Sequence, residues 1–118
     1  MLSWWDKKVY NQAPSFCVDK GLYTDQKWIN LLDGFFDGKY VLRDIGYNVA
    51  YWNLQERKNI SKKNGEYFVN DKPLYFFHFS GFAIDNPELL SRHQDRYTLK
   101  DMNDTVREIF SEYRQSAI

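Results

Sequence analysis

At 118 residues the chain has room for one domain, enough to bury about two thirds of its unfolded surface but short for an enzyme holding two substrates. Its 16 Lys plus Arg match its 16 Asp plus Glu, so no net field draws it to nucleic acid or an anionic membrane, and a basic-patch function is not expected. A single cysteine, Cys17, excludes an internal disulfide, and no apolar run approaches the ~20 residues of a membrane span.

Met1 leads into LSWWDKKVY rather than a basic stretch followed by an apolar one, so the chain reads as soluble and cytoplasmic. Within that first segment, apolar residues at 2, 5 and 9 with Ser3 as N-cap predict a short helix that ends by Pro14. Gly21 marks a turn. Thr24 then caps a second helix, DQKWINLLDGFF, with Trp28, Leu31, Leu32 and Phe35 on one side. A strand is expected over Tyr40 to Arg43, a bend at Gly46, and extended chain through YNVAYWNL. Turns at Lys63-Asn64-Gly65 and Asn70-Asp71-Lys72 link short antiparallel strands, the last expected over Leu74 to Phe79. The tail forms a helix capped near Thr98 or Asp101, with Leu99, Met102, Val106, Ile109, Phe110 and Tyr113 on its apolar face. The fold class expected is α+β, a small, mostly antiparallel sheet packed with helices, as a single domain over 1–118.

The chain carries 4 Trp, 9 Tyr and 9 Phe, rings that fill a core and can also offer stacking faces to sugars. One of its 2 histidines lies in PLYFFHFSGF, among aromatic neighbours. Strand alternation puts Tyr75, Phe77 and Phe79 on one face and Phe76, His78 and Ser80 on the other. Gly81 follows, where a missing Cβ lets a ligand or another backbone come close. A strand histidine commonly serves as a hydrogen-bonded core residue, and one imidazole cannot hold a metal unaided. Asp25 after Thr24 is also ordinary first-turn helix chemistry. Asn48 and Asn53 can satisfy backbone groups at bends, Trp52 can be core, and Lys62-Lys63 reads as a solvated hairpin end. His93, among charged neighbours, is expected to be exposed.

YTDQKWIN, GYNVAYWNL and PLYFFHFSGF, in that order, resemble the closing portion of bacterial sugar-nucleotide glycosyltransferases of the GT-A type. More distantly they are similar to the retaining group that includes glycogenin and the lipopolysaccharide galactosyltransferases. The family's Asp-Gln pair with a following Asn falls on Asp25, Gln26 and Asn30. Its Trp-Asn pair falls on Trp52 and Asn53, and its His-x-x-Gly on His78 and Gly81. The resemblance implies that Asp25 and Gln26 are catalytic and face the sugar being transferred. It implies that Asn30, Asn48, Trp52, Asn53 and Gly81 bind substrate, Gly81 against the donor diphosphate, and that His78 binds Mn²⁺ or Mg²⁺ in the full-length enzyme. The partners implied are a nucleotide-sugar donor and a saccharide or glycolipid acceptor, in cell-surface polysaccharide synthesis.

The chain departs from that pattern in two places. FAIDNP stands where the group has Lys-Pro-Trp after His-x-x-Gly, and no Asp-x-Asp motif or strand-glycine-helix nucleotide unit occurs. The expectation is therefore a C-terminal fragment lacking the nucleotide-binding half, inactive alone, binding no metal by itself, and self-associating as a dimer or through an exchanged element to cover the cut sheet edge. The alternative is a non-catalytic carbohydrate- or protein-binding module.

Overall fold

A computed structural model describes residues 1–12 and 26–117, which fall into two compact units, Met1–Leu42 and Arg43–Ile118. Cys17, the expected stop at Pro14, the turn at Gly21, the cap at Thr24 and Asp25 lie outside the described residues.

In the first unit α1 spans Leu2–Gln12, so Ser3 sits inside the first turn rather than capping it. The expected second helix is two short ones, α2 Gln26–Asn30 and α3 Leu32–Phe35, interrupted at Leu31. Trp4 of α1 meets Trp28 edge-on at 6.4 Å between ring centroids and packs against Phe36 at 5.4 Å. The Lys8 ammonium sits 5.0 Å from the Trp28 ring centre, where the ring's negative face attracts it. No strand forms at Tyr40 to Arg43. Tyr40, Val41 and Leu42 are exposed and belong to no ladder among the described residues, and without a ladder their β propensity has nothing to act on.

The second unit is built on a three-stranded antiparallel meander, β1 Ile60–Lys63, β2 Glu66–Val69 and β3 Lys72–Pro73. Its register follows from two two-residue turns. Asn64 and Gly65 have φ of 52° and 85°, and Asn70 and Asp71 have 46° and 67°. Positive φ at both central residues is the I′ arrangement, whose twist matches that of the flanking strands. Ile60 thereby pairs with Val69 and Lys63 with Glu66.

The antiparallel strand expected at Leu74 to Phe79 does not form: the ladder ends with β3 at Pro73 and the segment makes one isolated bridge. Pro73 has no N–H to extend the ladder. After the Leu74 amide donates to the Tyr67 carbonyl at 2.8 Å, the chain leaves β2. It runs instead beside residues 46–49, where Val49 and Phe77 form a single parallel bridge. The stretch expected to stay extended through Leu54 instead coils into successive turns from Tyr51 to Arg57. Asn53 fastens the first of these turns, its Oδ1 accepting the N–H of Ala50 three residues back at 2.9 Å while its own amide donates to the Ala50 carbonyl at 3.0 Å.

The C-terminal helix, α4 Asp104–Ser116, begins later than expected. Thr98 and Asp101 do form a capping box, but around a separate 3-10 turn, Leu99–Asp101. The α4 cap is Asn103, whose Oδ1 accepts the Val106 N–H at 2.9 Å while its Nδ2 donates to the Ile60 carbonyl at 3.0 Å. Asn103→Ala should therefore lower the urea midpoint by the equivalent of about 1–2 kcal/mol. An unchanged midpoint would show that the cap is dispensable.

Val106, Ile109 and Phe110 of α4 close the core with Val49, Leu54, Ile60, Val69, Leu90 and Leu99. Phe77, Phe79 and Phe82 bring their rings to within 5.1–6.2 Å of Phe110. Lys62 is not the solvated lysine the hairpin suggests. Its ammonium bridges Glu108 at 2.8 Å and Glu112 at 3.2 Å and meets the Tyr67 hydroxyl at 3.1 Å, tying β1 to α4. The Glu108 carboxylate, then the Tyr67 hydroxyl, hold that ammonium above the ordinary lysine range.

Candidate functional site

Gly46 is where the site is built. Its carbonyl accepts the amides of both Tyr75 and Phe76, at 2.9 and 3.1 Å, and three residues on Val49 exchanges bonds with Phe76 and His78, at 3.0 and 2.7 Å. This crossing sets His78 beside Asn48 and Trp52, although they are distant in sequence. The expected alternation holds at its working end. Phe77 and Phe79 turn to the core, while Phe76 and His78 face outward with rings 6.1 Å apart.

His78 Nδ1 lies 3.3 Å from Asn48 Oδ1, and the Trp52 indole stands edge-to-face to the imidazole at 5.2 Å and 86°. A carboxamide oxygen can only accept, so Nδ1 is the donor of this bond. Nε2 makes no hydrogen bond among the described residues. Asn48 itself is strained into the left-handed region, φ 53°, and Asn53 holds it there by donating Nδ2 to the Asn48 carbonyl at 2.9 Å. Asn53 is thus committed to backbone at both ends of its amide. Asn48 is committed to His78.

Gly81 has φ 68°, and a Cβ there would meet Ser91 Oγ at 2.5 Å and the Arg92 amide nitrogen at 3.0 Å. The close approach made by this glycine is to the 91–93 segment, whose Arg92 amide donates to the Gly81 carbonyl at 2.8 Å. Ser91 is fully buried, its hydroxyl donating to the Ser80 carbonyl at 2.9 Å and accepting the His93 amide. Asn48, Trp52, Asn53 and His78 therefore form one cluster in the second unit. Gln26 and the exposed Asn30 open and close α2 in the first.

Around His78 the donors on the page are one imidazole and one carboxamide oxygen. A hard divalent cation takes about six donors, mostly oxygen. Among the described residues no three His, Cys, Asp or Glu side chains gather to hold one. These residues alone do not make a Mn²⁺ or Mg²⁺ site.

Sequence reasoning missed a cleft of about 480 Å³ on the other side of Trp52, floored by core residues such as Leu90 and Val106. Its walls come from the 51–58 turns, the loop at 94–97 and the start of α4. The Gln94 carboxamide makes a reciprocal pair with the Tyr97 backbone, at 2.7 and 3.0 Å, and the Gln55 amide donates to the Tyr97 hydroxyl. No periodic pattern announces such a wall. The one signal was the density of aromatic and amide residues in AYWNLQ and RHQDRY.

No helix of the described residues is long and apolar enough to cross a membrane. No protein-family model matches the chain, and no solved structure matches it. It is similar to the uncharacterized protein YfnD of Bacillus subtilis strain 168, 35% identical over 67 residues, or 57% of this chain and 21% of YfnD. It is also similar to the uncharacterized protein YfnF of the same organism, 27% identical over 84 residues, or 70% of this chain and 27% of YfnF. The chain thus spans between a fifth and a third of the length of these curated relatives.

Proposed function

We propose that the chain is the C-terminal part of a GT-A-type, nucleotide-sugar-dependent glycosyltransferase, which moves a hexose to a saccharide or glycolipid acceptor during cell-surface polysaccharide synthesis in the cytoplasm. The observation that carries the reading is the His78 cluster. The Trp-Asn and His-x-x-Gly elements named by the resemblance meet through Asn48, with Nδ1 of the exposed imidazole against Asn48 and Nε2 left without a partner among the described residues. The partial coverage of longer relatives supports it as well.

In this reading His78 Nε2 is presented to the donor side of the site, and Asn48 and Trp52 hold the ring in place for it. The carboxylates that complete a Mn²⁺ or Mg²⁺ site, and the contacts to base and ribose, belong to the rest of the parent enzyme. Asp25 and Gln26 face the transferred sugar, with Asn30 beside them on the family pattern. A second reading, a non-catalytic carbohydrate-binding module, is favoured by the cleft beside Trp52 and expects binding without turnover.

The test begins with the coding DNA before Met1, where the proposal expects a segment carrying Asp-x-Asp. In the longer protein, His78→Ala should cut metal-dependent transfer by about 10- to 100-fold. Its melting temperature should hardly move, because the imidazole is exposed. Unchanged transfer in that variant sinks the proposal. Micromolar, Mn²⁺-dependent nucleotide-sugar binding by the 118-residue chain alone, lost in His78→Ala, would replace it with a self-sufficient binding domain.

A further inference from the structure

We infer that the cleft between Trp52 and Tyr97 binds a saccharide bearing an anionic group, a uronate or a sugar phosphate. This rests on the cleft alone and stands whether or not the chain is part of a transferase. At about 480 Å³ the cleft falls within the ~300–1,000 Å³ typical of small-molecule sites.

Three cations line it, Arg57, Lys58 and Arg96, against one acid, Asp101. The acid is already satisfied. Its Oδ2 accepts the Thr98 amide at 2.7 Å and the Thr98 hydroxyl at 2.9 Å, which holds the carboxyl below its usual range. The cations are not. Lys58 and Arg96 make no ion pair or hydrogen bond among the described residues, and Arg57 commits only Nη1, to the Tyr47 carbonyl at 2.9 Å. In a protein whose charges otherwise balance, this recess holds an unspent positive excess, and a cleft wall of one sign focuses its field on an anion.

The aromatic walls say what carries the anion. Trp52 is 47% exposed and Tyr97 37%, so both leave ring surface accessible. Tyr97 is held by Gln94 through its backbone and by Gln55 through its hydroxyl, so little ordering cost remains for a ligand that stacks on it. Flat rings beside fixed amides suit the apolar face and the hydroxyl rim of a sugar. A nucleotide diphosphate is a poorer match. Its phosphates are ordinarily cradled by backbone amides of a glycine-rich loop, and no glycine is among the described lining residues.

Calorimetric titration of the 118-residue chain compares a neutral disaccharide, a glucuronate-containing disaccharide, a hexose phosphate and uridine diphosphate. The uronate or the hexose phosphate should bind at least about tenfold tighter than the neutral sugar, the stronger of the two naming the source of the charge. That margin should shrink as salt rises and vanish in Arg96→Gln and Lys58→Gln, both exposed positions whose change leaves the core alone. Tyr97→Ala should weaken all sugars together. Equal binding of neutral and acidic sugars, no binding of any, preferential binding of uridine diphosphate, or a margin indifferent to the two charge removals would each overturn the inference.

Discussion

Replacing Gly46 by alanine is expected to destabilise the second unit by about 3–5 kcal/mol, combining steric overpacking with two lost hydrogen bonds. A Cβ at this position would stand 2.0 Å from the Pro73 carbonyl oxygen and 3.2 Å from both the Pro73 carbonyl carbon and the Tyr75 ring. The nearest obstacle is backbone, so no side-chain rotation relieves it. Separating the two segments breaks the paired acceptance of Tyr75 and Phe76 by the Gly46 carbonyl, and with it the crossing that carries His78 to Asn48. Urea unfolding followed by circular dichroism should show a much lower midpoint. Two-dimensional NMR should show the His78 ring signals displaced. A wild-type midpoint for Gly46→Ala would falsify the close approach.

Phe110→Ala should cost a similar amount, about 3–5 kcal/mol, for a different reason. The ring is 2% exposed and serves as the common partner of Phe77, Phe79 and Phe82, so its loss leaves a cavity walled by three rings that cannot all collapse inward. A scanning calorimeter should record a fall of more than about 10 °C in the melting temperature. Tyr113→Ala supplies the contrast. Tyr113 stacks on Phe79 at 3.8 Å but is 40% exposed, and its removal should cost clearly less. Equal losses at the two positions would mean that the aromatic layer has no single centre.

What the sequence could reveal was what neighbours decide. Asn64-Gly65 and Asn70-Asp71 demand left-handed backbone locally, and the strands on either side have little freedom once those turns close. The apolar stripe of α4 is legible for the same reason, because its period is internal to the helix. Errors fell where distant groups compete. Tyr40 to Leu42 have the composition of a strand and no ladder to join. Phe76 to Phe79 alternate as expected, but Leu74 to Phe79 form no strand and make a single bridge to the 46–49 segment. That choice rests on one glycine carbonyl and one proline lacking its N–H. Asn103 was passed over as a cap because Thr98 and Asp101 satisfy the same capping rule five and two residues earlier and spend it on a 3-10 turn. Of the candidate site, the motif residues were visible and their meeting was not. The cleft, walled by a run of turns, a loop and a helix start, has no period to detect.

The crossing at Gly46 also fixes the order in which the chain can afford to close. Lys63 and Glu66 pair across a two-residue turn, whereas His78 reaches Asn48 across 30 positions of chain. Each doubling of a loop adds about 0.6 kcal/mol of lost chain entropy, so the longer closure is dearer by roughly 2 kcal/mol. The meander can form in microseconds from local information, before anything else is in place. The His78 cluster must wait for it, since the segment bearing His78 is delivered by β3. Between these two closures the order reverses on opening, the longer loop regaining more freedom than the turn. The second unit therefore keeps hairpin and His78 cluster on different clocks: a turn that closes from neighbouring residues alone, and a site that assembles only after it.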